Sequence, residues 1–352
     1  MARTRIGLDI GSTAARAAEI SGAQGAAVLV RAAQVPVTPG AVENGEIVNP
    51  EAVAETLREL WRRGGFKTRQ VVMGVGNQRV VVREVALPWL PPKDLRESLP
   101  FQVQEFIPIA VEDAVLDYDP LDEFEQEGRR MIRVLLVAAQ KAMVNGLVQT
   151  AAAARLDPVG VDLLPFALVR AVGTMDGGMD LETVGDEAVI DVGADITNIC
   201  VHDHGVPRFV RILPSGGGDI TLAIARALGT TDEEAEQLKR GEAVEGGPPP
   251  EDVRRVALGR AASFVDEIRS SLEFYAAQSP GARVGRVLVT GGGSKLEGFT
   301  DLLRDRLPSS QVDRGHVFSK VRADLNMPEE ALAEAEPLLP AAVGLGIAGR
   351  QS

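Results

Sequence analysis

The chain holds a single cysteine, Cys200, among its 352 residues, so it can form no internal disulfide. That suits a reducing compartment. It holds no apolar run long enough to span a bilayer. Its charged start, "MARTRIGLDIGS", leads into no extended apolar core and does not read as a secretory signal. Base is scarce against acid: 37 Lys and Arg face 50 Asp and Glu, for a net charge of −13. Broad nucleic-acid binding is excluded, because a phosphate backbone demands a basic surface. A basic helix lying on a membrane is excluded on the same ground, and no direct membrane insertion is expected. These absences predict a cytoplasmic globular protein. Its length exceeds what one ordinary core serves, so two or more domains are expected.

What is present is a pattern used twice. "IGLDIGSTAARAAEI" (6–20) and "AVIDVGADITNICVH" (188–202) each read as apolar strand, Asp, apolar residue, Gly, small polar turn and second strand. Asp9 and Gly11 align with Asp191 and Gly193, which suggests internal duplication. "RIGLDIG", "RAAEISG" and "AAVLVRAAQVPV" predict a meander of three strands. "NPEAVAETLRELWRRGG" predicts a helix with Asn49 as N-cap, Pro50 at the first helical position and Gly64 as stop. From about Leu87 to Asp157, a proline-studded helix beginning near Lys93, two paired strands and an alanine-rich helix predict a small insert. The second half predicts three strands, a helix after "GGGD", a short helix in "TDEEAEQLKRG" and a long helix from Asp252 to about Gln278. The strand-turn-helix "GRVLVTGGGSKLEGF" follows, and then a small-residue helix in "PLLPAAVGLGIAGR" that should pack against a sheet.

An Asp at a strand end followed by a Gly turn brings a carboxylate and several backbone N–H groups to one spot. Carboxylates hold Mg²⁺, directly or through water, and turn N–H groups hold phosphate oxygens. Ser12 and Thr13 add hydroxyls, and Arg16 lies near the same charge. Either copy alone is an ordinary hairpin; two copies, each opening half of the chain, point to a site. "PSGGGDIT" (214–221) reads either as an anion site at a helix start with free N–H groups or as a turn with Asp219 as N-cap. "LVTGGGSKLEGF" lets a flat ligand or a phosphate approach the backbone, but fits neither G-x-G-x-x-G nor a Walker A loop. His202 and His204, with no further ligand nearby, read as edge-strand histidines rather than a metal site. Nothing resembles a Ser-His-Asp or Cys-His constellation.

In this order "LDIGSTAAR", "IDVGADIT" and "VTGGGSKLEGF" resemble the two phosphate loops and the adenosine loop of the actin-like ATPase superfamily. "AEQLK" is similar to the superfamily's ribose- and base-contacting helix. "VALPWLPPKDL…EFIPI…VLDYDPL", the passage out of it, and "SFVDEIRSSLEFYAAQ" resemble the PilM family of type IV pilus assembly more than the cell-division protein FtsA. The end "GIAGRQS" lacks the amphipathic helix expected of FtsA.

The resemblance implies an α/β, two-lobed actin-like fold. The first lobe would be 1–86 and 158–184, closed by a C-terminal helix at 336–352. An α+β insert subdomain would occupy 87–157. The second lobe would span 185–335, with a smaller part at about 219–285. The resemblance further implies ATP and Mg²⁺ in the cleft, with Asp9 and Asp191 facing the metal or its waters. Gly11, Ser12, Thr13, Arg16, Gly193 and Thr197 would meet the phosphates, and Gly216 and Gly217 the ribose-phosphate region. Glu236 and Lys239 would meet ribose and base, and Gly291, Gly292 and Gly293 the adenosine. The family generally carries Lys where this chain has Arg16. Gln78 and Asp162 are the only water-positioning candidates by location, so nucleotide binding is expected more than rapid turnover. The implied partner is the N-terminal cytoplasmic tail of a PilN-like inner-membrane protein, docked beside the insert. Other pilus assembly proteins join it, and self-association is left open. An FtsA-like filament former, or a sugar kinase of the same superfamily, is the alternative.

Overall fold

The computed structural model describes residues 4–22, 26–175, 185–278 and 281–347. Most of the polar connector "GGMDLETVGDE", and the end of the expected C-terminal helix beyond 347, lie outside the described residues. Strands β1 (Arg5–Ile10), β2 (Ala14–Ser21) and β3 (Val28–Pro36) form the expected meander. A short hairpin, β4 (Val42–Glu43) and β5 (Glu46–Ile47), turns through Asn44 and Gly45 at positive φ. Asn49 caps α1 (Pro50–Gly64) by accepting the Ala52 N–H, and Gly65 ends it in the left-handed conformation. β6 (Gln70–Val75) then runs parallel beside β1.

β7 (Val80–Pro88), β8 (Ala114–Gln126) and β9 (Arg129–Gln140) make a separate antiparallel sheet in the order β7-β9-β8. α2 (Pro92–Gln102) covers it and buries Leu95 and Leu99 against Val85, Tyr118 and Leu136. The expected start of the insert, residue 87, falls inside β7, because pairing with β9 begins at Val80. α3 (Lys141–Ala153) packs Leu147 and Ala151 into the core beneath α1. β10 (Asp157–Leu163) and α4 (Leu164–Val172) return the chain to the first sheet.

The second half repeats the plan. β11 (Asp186–Val192), β12 (Thr197–Asp203) and β13 (Val206–Leu213) form a meander. Helices α5 (Gly217–Leu228), α6 (Asp232–Lys239) and α7 (Pro250–Gln278) follow. These three fill the stretch expected as a smaller part, and they share one core with the sheet. β14 (Val284–Thr290), α8 (Phe299–Arg306) and β15 (Gln311–Arg314) complete that unit. β16 (Arg322–Ala323), α9 (Glu329–Ala335) and α10 (Pro340–Gly346) lead back to the first sheet.

The first sheet runs β10-β6-β1-β2-β3-β16 and the second β13-β12-β11-β14-β15. Read outward from β1 and β11, the two share one order and one set of directions: antiparallel to the meander partner, parallel to the crossover strand. Successive strand residues point to opposite faces, so each sheet feeds two layers. Ile6, Leu8 and Ala17 face the helices α1 and α3, while Ile190, Val192 and Val289 face α5, α7 and α8. The other faces meet: Ala18, Ile20, Val189, Cys200 and Leu288 share a central layer with α4 and α10. The small residues of α10 permit that closeness, since a side chain at Gly7 would strike the carbonyl of Ala342. Burying one large side chain, such as Phe264 stacked on Phe299, stabilises its layer by about 1.5–3 kcal/mol.

Candidate functional site

The duplication sets two acids opposite each other. In each hairpin the turn glycine donates its N–H across the turn, Gly11 to Ala14 O and Gly193 to Ile196 O, both at 3.0 Å. Asp9 and Asp191 lie near the ends of the central strands, on the faces turned to the central layer. Burial raises both carboxyls above the usual range. It pushes Asp191 up to about 7, with the charge of Asp9 adding to the rise and Arg16 opposing it. Arg16 Nη1 stands 3.5 Å from Asp9 Oδ2, and its Nε donates to Gln34 Oε1 at 2.8 Å. Ser12 and Thr13 occupy the first turn, and Thr13 is exposed.

Two desolvated acids sharing one nearby cation make a site suited to a further cation. Mg²⁺ is commonly held by one or two carboxylates together with substrate phosphates and water. Asp9 and Asp191 fit that role as a pair, and among the described residues no cluster of three or more His, Cys, Asp or Glu forms an all-protein metal cage.

The glycine run 216–218 differs from expectation. Its N–H groups are not free: Gly217 donates to Gly193 O at 2.9 Å, Gly218 to Ala194 O at 2.8 Å and Gly216 to Asp219 Oδ2 at 3.1 Å. The run therefore docks on the second turn, backbone to backbone. A Cβ at Gly216 would come within 2.5 Å of Gly193 O. Asp219 is the brace, though not as the N-cap of the alternative reading: Gly216 is the N-cap, and Asp219, three residues into the helix, reaches back to it, accepts from Ser215 Oγ at 2.8 Å and pairs with Arg260 at 3.3 Å. Arg260 gave no sequence signal, because it arrives from α7. Thr197 requires a correction as well. It is wholly buried and its hydroxyl donates to Ser215 O at 2.8 Å, so it anchors the glycine run instead of offering the hydroxyl to a phosphate.

The third loop closes on the same place. Gly291 adopts φ of 86°, and a Cβ there would lie 2.8 Å from Asp191 Oδ1 and against the Val192 backbone. Gly293 lies against the Val192 side chain, while Gly292 stands clear of close neighbours. Lys239 Nζ donates to Gly217 O at 2.9 Å and to Thr221 Oγ1 at 2.7 Å, and it pairs with Glu236 at 2.5 Å. Burial drives the Lys239 ammonium down, and the carboxylate of Glu236 opposes the shift. A Cβ on Gly217 would approach both Lys239 Nζ, at 3.5 Å, and the Gly293 Cα, at 3.8 Å. Gly217, Lys239 and Gly293, distant in sequence, thus meet.

Of the other candidates, Asp162 is paired with Arg170 and Gln78 is exposed. His202 is not on an edge: β12 lies between β11 and β13, and the ring is wholly buried with Nε2 3.1 Å from Glu187.

A family profile described as "Type IV pilus assembly protein PilM" matches residues 7–350. A chain of the PilM–PilN type IV pilus biogenesis complex is 30% identical with a TM-score of 0.83, covering 98% of this chain and 98% of that one. Ethanolamine utilization protein EutJ from Carboxydothermus hydrogenoformans is 17% identical with a TM-score of 0.58, covering 99% and 90%. MreB5 of Spiroplasma citri bound to AMPPNP is 14% identical with a TM-score of 0.52, covering 89% and 91%. The latter two show the shared fold, which is the two-lobed actin-like ATPase fold. Cell division protein FtsA of Bacillus subtilis (strain 168) is 24% identical over 224 residues, covering 56% of this chain and 49% of its own length. The chain spans about half the length of that curated relative. Matched almost from end to end by one profile, the chain belongs to the family of type IV pilus assembly protein PilM.

Proposed function

We propose that this chain is an ATP-binding scaffold of type IV pilus assembly that holds the N-terminal cytoplasmic tail of a PilN-like membrane protein. The observation that carries the reading is the 30% identity to a chain of the PilM–PilN complex over 98% of both. Apolar surface for an extended tail stands on the insert, where Phe101 in the last turn of α2 and Phe106 just after it are exposed. Among the described residues no helix is long and apolar enough to cross a membrane, so the partner would hold the chain at the inner face.

ATP would lie between the two acidic hairpins. Asp9 and Asp191 would hold Mg²⁺, directly or through water. Ser12 and Thr13 would present turn donors to the phosphates, Gly11 and Gly193 would keep the turns clear of side chains there, and Arg16 would stand beside them. Gly216, Gly217, Glu236 and Lys239 would border the ribose and base, and Gly291 to Gly293 the adenosine. Bound Mg²⁺ supplies positive charge that neutralises phosphate oxygens. The chain's own residues do the rest: the backbone turns orient the phosphates, and Arg16 adds a fixed cation. A ligand touching both lobes biases the angle between them.

The first test is titration of a fluorescently labelled tail peptide into the full chain, with and without ATP and Mg²⁺. Absence of binding in both conditions would overturn the scaffold reading. The site is tested by thermal shift: Mg²⁺–ATP is expected to raise the wild-type Tm by a few degrees and Asp9→Ala by none. No shift in the wild type counts against the cleft. ATP-dependent sedimentation would instead favour an FtsA-like filament former.

A further inference from the structure

The strand register places three polar residues in one row across the first sheet. Asp9 faces Arg16 between β1 and β2, and Arg16 faces Gln34 between β2 and β3. Directly opposed residues share a sheet face, and this face is turned to the central layer. The corresponding row of the second sheet is Asp191, Asn198 and Ile212, which holds an acid and an amide but no cation. One guanidinium therefore serves two acids, and its charge opposes the upward shift of both. Arg16 is largely buried, whereas Gln34 is exposed. Gln34 takes the Arg16 Nε–H at 2.8 Å, and Arg16 Nη1 lies 3.5 Å from Asp9. A guanidinium is planar and rigid, so one bond at Nε fixes the direction of both Nη groups. A lysine in its place would have no Nε to hold.

We infer that Gln34 is a positioning residue of the nucleotide cleft: it aims the Arg16 guanidinium at the phosphates, giving the cleft a cation of its own beside any metal. The inference rests on the nucleotide-binding reading above. Its signature is a difference between metal conditions. With Mg²⁺ present, phosphate charge is shared between the ion and Arg16; with the ion chelated, Arg16 carries more of it. Loss of Gln34 therefore weakens binding more without metal than with it.

The test is fluorescence titration of the full chain with a methylanthraniloyl-labelled ATP, in excess Mg²⁺ and in EDTA. Gln34→Met keeps the length and removes the acceptor at an exposed position, so its Tm is expected to be unchanged. Its Kd is expected to rise roughly threefold in Mg²⁺ and roughly tenfold in EDTA. In an Arg16→Lys background the effect of the same change is expected to shrink, because a lysine ammonium has no planar fork for Gln34 to aim. Equal Kd values for wild type and Gln34→Met in both buffers would overturn the inference, and so would an undiminished effect in the Arg16→Lys background. A wild type that binds no labelled ATP sinks the nucleotide reading itself, a separate and recognisable result.

Discussion

Glu187 shows how one buried side chain joins the halves of this protein. It is fully buried, accepts the Thr174 N–H at 2.7 Å and hydroxyl at 3.0 Å, and pairs with Arg286 at 3.1 Å. Thr174 lies just past α4, so the carboxylate ties the end of that helix to the second sheet. Burial alone would raise its pKa, but His202 and the Thr174 donors more than offset this and hold it below the ordinary 4.5. A depressed carboxylate stabilises the fold above the unfolded value and loses that contribution as pH falls through the folded one. Glu187→Gln is expected to cost on the order of 2–4 kcal/mol at pH 7, because Arg286 loses its buried partner. Urea unfolding at a series of pH values should show the gap to wild type narrowing below 4.5. A gap independent of pH would mean that the charge of Glu187 is not what matters.

At the scale of elements, the loop between β14 and α8 is fixed by space. Gly291 combines positive φ with a Cβ direction blocked by the Val192 backbone, whereas the nearest atom to a Cβ on Gly292 is Leu338 Cδ2 at 3.5 Å. Gly291→Ala is expected to cost about 1–3 kcal/mol, and Gly292→Ala well under 1 kcal/mol, in denaturant titration. Equal costs would show that the loop relaxes freely. The glycine run before α5 follows the same logic, since its tight docking on Gly193 and Ala194 leaves no room for a side chain at Gly216. The first loop brings backbone close to Asp191, and the second brings backbone close to the turn after it.

Across the whole molecule, a line of contacts leads from the second hairpin towards the insert. Asp195 Oδ2 accepts the Asn44 N–H at 3.1 Å, joining the turn of the second lobe to the β4–β5 hairpin of the first. Gly45 O accepts from Asn77 Nδ2 at 2.9 Å, and Asn77 O accepts the N–H of Val80, where β7 begins. These contacts connect the turn at 193–196 with the strand that opens the insert sheet. Asp195→Ala is expected to raise amide exchange in the peptide around Asn44 about tenfold, read by hydrogen-exchange mass spectrometry. Unchanged protection would mean that Asp195 does not hold the hairpin.

The sequence alone determined the features that depend on near neighbours: the Asn49 cap, the meanders, the long helix expected from Asp252 to about Gln278 and found from Pro250, and the pair of Asp-Gly hairpins. Caps and strand periods are local physics, so they survive without a fold. Only the tertiary structure decided which donors remain for a ligand. Thr197 and the N–H groups of Gly216 to Gly218 looked free, yet the hairpin and its adjoining loop consume them. His202 passed for an edge residue until β13 covered its strand. Arg260 reached Asp219, and Gln34 reached Arg16, through helix packing and strand register. Those pairings join residues far apart in the chain, and burial and register are set by which elements become neighbours, a property no single stretch contains.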